Sequence, residues 1–301
     1  MLSLEPELQS LRPILGDARA GALIARERRE IFSLHPELRI GAWLGATLLA
    51  TAAGILLKNN LERLGPLVLA ILIALAAAAC YAWTWFRRSR ASVVDDYVLL
   101  LGALLVSADV AFIEAQFHLF DGAWRRHLFI LAVLHAAAAY AYGSRMVLSL
   151  SIVAFAGWIG FDKGRRFDEL YLPALITAAL LVVWRAVDRR WRGDAFSRTF
   201  EHFAAHIALT GGMTYMIRDV VRGGLLTLAI AAIVIAWGFR SRSEPFVLYG
   251  FVYAVIALDA ILLEQFLGST KAEALTVIVL SMIGAIAALI ALHAHFREVR
   301  S

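Results

Sequence analysis

The chain is short of charge, of cysteine and of lysine, and each shortage excludes something. Only 18% of its 301 residues are charged, 61% are hydrophobic, and the mean hydropathy is +0.72. A water-soluble domain runs nearer a quarter charged and half apolar. Soluble Rossmann-type, barrel and sandwich enzymes are therefore excluded. The single cysteine, Cys80, sits in an apolar run, so it forms no intrachain disulfide and belongs to no CxxC metal or redox motif. Lysine occurs only at positions 58, 163 and 271 among 29 basic residues. With the heavy use of alanine, that points to a GC-rich bacterial genome. No nucleotide loop, nucleophile elbow or dinucleotide fingerprint is found. The chain is expected not to be an enzyme, and no cofactor is expected.

What is present is a series of apolar runs. A helix needs about 20 residues to cross a hydrocarbon core. Spans are expected near 40–57, 64–86, 97–117, 127–143, 146–161, 168–184, 199–217, 223–239, 246–264 and 273–295. The predicted fold is thus an all-α, polytopic integral membrane bundle of about ten helices. The fifth span is short, and the seventh carries Glu201, His202 and His206. Residues 1–39 are expected to form a cytoplasmic amphipathic helical leader ahead of a transmembrane bundle over 40–297. No cleavable signal peptide is read, because the first long apolar run begins near Ile40 behind mixed charges.

The net charge of +5 lies mostly between the apolar runs. There it reads as a topology signal and a contact for anionic lipid, with no nucleic acid as partner. With both termini inside, nineteen Lys and Arg fall on the cytoplasmic side and ten on the other. That bias predicts cytoplasmic termini in a bacterial inner membrane and an even number of spans. Arg185, Arg189, Arg190 and Arg192, with Trp184 and Trp191, form an interfacial belt suited to anionic lipid.

The chain also resembles itself. "GPLVLAILIALAAAACYAWTWFRRSR" is echoed by "GGLLTLAIAAIVIAWGFRSR", "YVLLLG" by "FVLYG", and "DVAFIE" (109–114) by "DAILLE" (259–264). A parallel internal repeat follows, with a first copy over 40–145, a connecting pair of spans over 146–198, and a second copy over 199–297.

A charge at membrane depth is costly and needs a reason. Asp109 lies deep in the third span and Asp259 in the ninth, with Glu114 and Glu264 five residues later, at the expected outer boundary. Asp109 and Gln116 share a helix face. One reading makes Asp109, Asp259 and Gln116 an ion- or proton-coupling site across a polar cavity. The other has each carboxyl hydrogen-bonded to a neighbouring helix. His202 and His206, one turn apart, have the spacing of a metal pair but no obvious third ligand. Gly41 and Gly45 form a GxxxG suited to close helix packing. Gly211 and Gly212 could loosen the seventh span or simply pack.

Two motifs carry a family resemblance. The leader runs into "GAWLGATLLATAAGILLKNNLERLGPLVLAIL", and the third span ends in "AFIEAQFHLFDG". Together these resemble the bacterial predicted-membrane-protein family catalogued as domain of unknown function 2157, over about residues 8–162. Members carry an Asn-Trp between the first two spans and a Gln-aromatic-His motif after the third. Here Asn59 matches, Asn60 stands in the place of Trp, and Gln116, Phe117 and His118 match. The resemblance implies a short cytoplasmic leader, many spans and no established activity. The functional expectation is a transporter-like protein for a small solute or ion. The alternative is a non-catalytic membrane scaffold whose residues 1–39 dock a cytoplasmic partner. The lipid bilayer is the expected surrounding in either case.

Overall fold

The computed structural model describes residues 65–87, 93–119, 123–160 and 166–265, with scattered positions between 41 and 55 and at 281 and 284. The leader, eight of the eighteen residues of the first expected span and nearly all of the tenth lie outside the described residues.

Among the described residues the chain is all helix. The helices are α1 (Pro66–Phe86), α2 (Val93–Phe117), α3 (Trp124–Tyr142), α4 (Arg145–Gly160), α5 (Tyr171–Arg192), α6 (Ser197–Met216), α7 (Val220–Arg240) and α8 (Glu244–Gln265), with a 3-10 turn at Phe167–Glu169 before α5. These eight coincide with the second to ninth expected spans. Local chemistry sets their ends. Pro66 opens α1, where its missing N–H costs nothing. Asp95 and Asp96 stand in the first turn of α2, and Arg189, Arg190 and Arg192 in the last turn of α5, each matching the helix dipole. Gly143 closes α3 at a left-handed φ of 70°. The Asp219 side chain accepts from the Arg222 N–H at 2.9 Å and caps α7.

Five segments are long and apolar enough to cross a membrane: Pro66–Phe86, Val94–Phe117, Phe167–Arg192, Val220–Arg240 and Glu244–Gln265. α4 is apolar but has only 16 residues. The histidine-bearing helices α3 and α6 are not among the five.

Consecutive helices pack as hairpins, α1 on α2, α3 on α4, α5 on α6 and α7 on α8, and α6 also packs firmly on α7. The largest buried cluster joins the middle helices through Leu99, Leu148, Ile152, Leu181 and Phe200. A second, with Leu209, Ala231, Val234 and Phe246, ties α6 to α7 and α8. Leu67, Leu75, Val183 and Ile233 turn outward and are exposed. Apolar surface of that extent needs a nonpolar solvent, which a bilayer supplies.

Arginines and indoles collect at one end of the hairpins, where several ties cross between helices. Asp95 is buried and accepts from Trp83 Nε1 at 3.2 Å and Arg87 Nε at 3.1 Å. Arg145 Nε donates to Ala195 O at 3.1 Å, and Arg192 donates to Tyr140 O at 2.9 Å.

Gly211 and Gly212 do not loosen α6, which runs unbroken through both. A Cβ on Gly212 would come 2.5 Å from Thr227 Oγ1, and one on Gly211 would come 2.9 Å from Ala174 Cβ. They bring α6 against α7 on one side and α5 on the other, which is the usual work of small residues between membrane helices. Among the described residues, no atom lies within 4 Å of a Cβ built on Gly41 or Gly45.

Candidate functional site

The polar groups that matter lie along the seam between α2 and α3. Ser107 and Glu114 are seven residues apart on α2, so they share a face. His127 and His135, eight apart on α3, do likewise. The antiparallel packing brings the two faces together and creates two polar contacts, separated by about 10 Å at 1.5 Å per residue.

The outer contact is Glu114 with His127. Glu114 Oε2 lies 3.3 Å from His127 Nε2, and their side chains are only 3% and 2% exposed. His127 Nδ1 lies 3.3 Å from Ala123 O. A carbonyl only accepts, so Nδ1 carries a hydrogen. The neutral ring then has a bare Nε2 facing a carboxyl oxygen. The two groups stand at ion-pair distance, although the contact does not meet hydrogen-bond geometry. Trp124 covers the ring, with centroids 5.2 Å apart.

The inner contact is His135 Nε2 with Ser107 Oγ, 2.8 Å apart. The serine hydroxyl also donates back to Ala103 O at 3.1 Å. With its one hydrogen used there, Ser107 accepts from His135 Nε2–H. His135 Nδ1 is then an acceptor, buried and without a hydrogen-bond partner among the described residues. Ser151 on α4 donates to Ala132 O of α3 at 2.7 Å.

The residues singled out in the sequence are placed differently from one another. Asp109 and Asp259 are both half-buried, and in each one carboxylate oxygen is buried without a partner among the described residues. α2 packs on α1, α3 and α4, whereas α8 packs on α7 and α6. Glu114 is buried, but its counterpart Glu264 is exposed, as is Gln116. His202 stacks on Phe246 at 4.6 Å, and His206 packs on Tyr249 at 4.1 Å. No group of three His, Cys, Asp or Glu among the described residues is arranged to hold a metal.

Sequence reasoning placed Glu114 at a boundary and gave His127 and His135 no partner. The signal was available in the spacing: seven residues on one helix and eight on the next, joined by a short connection. His118, from the Gln-aromatic-His motif, has a structural role that was also missed. It adopts a left-handed φ of 51°, and its N–H donates to Glu114 O at 2.9 Å, ending α2. Replacing His118 with glycine is expected to leave stability unchanged or raise it by about 1 kcal/mol, since only a side chain resists that conformation. Unfolding of the variant in mixed micelles checks this, and a clear loss of stability would give the imidazole a further role.

The fold and its surface define a multi-pass membrane protein with several candidate spans. Residues 12–148 match the family described as "Predicted membrane protein (DUF2157)". The match takes in α1 to α3 and therefore both polar contacts of the seam. No curated protein and no solved structure matches the chain.

Proposed function

We propose that this is a proton-handling, transporter-like protein and not an enzyme, with Glu114 and His127 as the groups that take up and release the proton. The observation that carries the reading is the burial of that pair. A carboxyl and an imidazole are held together, closed from water, near one end of the seam. Ionisable groups in such surroundings are costly to keep and often mark ion or proton pathways. The inner Ser107–His135 contact lies along the same seam, with Asp109 two residues from Ser107 on another face of α2. These groups supply further polar sites deeper in the bundle. The coupling role first given to Asp109, Gln116 and Asp259 passes mainly to Glu114 and His127, because their geometry joins two titratable groups.

The remaining architecture is part of the same proposal. The count of ten spans rests on the apolar runs, the cytoplasmic termini rest on the basic-residue bias, and the arginine-rich end of the hairpins would face the cytoplasm of a bacterial inner membrane. The parallel repeat draws support from two glycines that the sequence alignment pairs. A Cβ on Gly102 would come 2.9 Å from Cys80 Cβ, and one on Gly250 would come 2.8 Å from Ala231 O. In each copy the second helix thus presses its glycine against the first. A docking role for residues 1–39 lies outside the described residues.

Vesicles containing the full chain and a pH-sensitive dye test the reading. Under an imposed pH gradient, the wild-type protein is expected to speed proton entry, and Glu114→Gln to remove that acceleration. Wild-type vesicles that behave like empty ones, or a Glu114→Gln variant that conducts as well as wild type, would overturn it.

A further inference from the structure

α6 packs firmly on both α5 and α7, while α5 and α7 have at most a slight contact with each other among the described residues. The gap between them is a groove of about 430 Å³, a volume within the range of small-ligand sites. Ala204 and Ala208, one turn apart on α6, keep its floor low, and Val182 and Ile233 stand on its two sides. Both side walls are exposed, so the groove opens outward toward the surrounding membrane. From Ala178 to Arg185 on α5, and from Ile230 to Trp237 on α7, it extends about 10 Å along the helices.

One end of this apolar groove is charged. Arg185 pairs with Glu201 there, and its guanidinium lies 5.4 Å from the centre of the Trp237 ring. The pairing leaves the guanidinium unsatisfied: Arg185 Nε is buried and has no acceptor among the described residues. A buried N–H without an acceptor is costly, and an anionic oxygen would relieve it. The same end of α5, α6 and α7 also carries Arg189, Arg190, Arg192, Arg198, Arg240 and Arg242. Acidic groups nearby are fewer, with Asp188, Asp194 and Glu244 besides Glu201. A lone acyl chain would fill the groove but leave the arginine unanswered. A free anion would meet the arginine but leave the apolar walls empty.

We infer that the groove between α5 and α7 is a binding site for one anionic phospholipid, its acyl chain on the alanine floor and its phosphate at Arg185. This differs from a general attraction of basic residues for acidic membranes, because it has a stoichiometry of one and a shape requirement. It is also independent of the proton reading, since it uses none of the α2–α3 residues.

Native mass spectrometry of the full chain, stripped of lipid in detergent and then given phosphatidylglycerol or phosphatidylcholine, tests the site. One phosphatidylglycerol is expected to bind at least about fivefold more tightly than phosphatidylcholine, the scale of one basic residue at an acidic lipid surface. Arg185→Gln combined with Glu201→Gln removes both charges and leaves no carboxylate unpaired, and the preference should vanish. Ala208→Phe fills the floor without touching the pair, and the tightly bound lipid should be lost. Equal binding of the two lipids by the wild type would overturn the site. So would an Ala208→Phe variant that keeps its phosphatidylglycerol. A wild-type dimer that dissociates in Ala208→Phe would assign the groove to a second copy of the chain instead.

Discussion

Replacing Glu114 with leucine is expected to destabilise the protein by about 3 kcal/mol, the cost of breaking a buried pair and stranding its partner. His127 would keep its Nδ1–H on Ala123 O, but its Nε2 would face an apolar side chain with no water to replace the lost oxygen. The diagnostic result is the double variant. Glu114→Leu with His127→Leu should recover most of the loss, because two apolar groups pack where an orphaned imidazole does not. Chemical unfolding of the single and double variants in mixed micelles measures the coupling between the two positions. Additive losses, with no recovery in the double variant, would mean that the two side chains do not act as a pair.

The second large effect is expected at Gly212. A Cβ there already meets Thr227 Oγ1 at 2.5 Å and Thr227 Cα at 3.0 Å. Thr227 is fully buried, and its hydroxyl donates to Gly223 O at 2.8 Å, so it has little room to yield. Gly212→Leu should force α6 away from α7 and cost about 3 kcal/mol, at the upper end of ordinary overpacking. Gly160→Leu is a fitting control, since among the described residues a Cβ at Gly160 meets no atom within 4 Å. The same unfolding assay should show a large loss for the first and little for the second. Equal losses would mean that the contact with Thr227 does not account for the effect.

How much of this was legible beforehand follows from what the sequence records. Hydrophobic runs report helices directly, because each span must hide its own backbone groups from lipid. The apolar runs from 64–86 to 246–264 therefore coincide with the helices α1 to α8, of which five are long and apolar enough to cross a membrane. Lengths were less legible where polar residues serve packing. α6 continues through Glu201, His202 and His206 because Arg185 takes the carboxylate and Phe246 and Tyr249 take the rings. Those partners come from other helices, which no local pattern reveals. The candidate site shows the same limit. Asp109 and Asp259 stood out because a carboxylate inside an apolar run is conspicuous by itself. Glu114 was read as lying at the edge, since depth was counted along one helix alone. Its burial arises from α3 closing over it, with His127 supplied from beyond the loop. Gly211 and Gly212 were equally ambiguous, because a glycine pair reads alike as a break or a close contact until the neighbouring helix is placed.

The account turns on the buried pair of Glu114 and His127. Nitrogen NMR of ring-labelled histidine in the lipid-embedded protein, with His127→Gln used to assign the signal, tests it most directly. His127 Nδ1 should carry a hydrogen in the wild type, donated to Ala123 O, and Glu114→Gln should move the Nε2 resonance while leaving Nδ1 protonated. A His127 ring with a bare Nδ1, or an Nε2 signal indifferent to Glu114→Gln, would contradict the claim that the pair holds a proton.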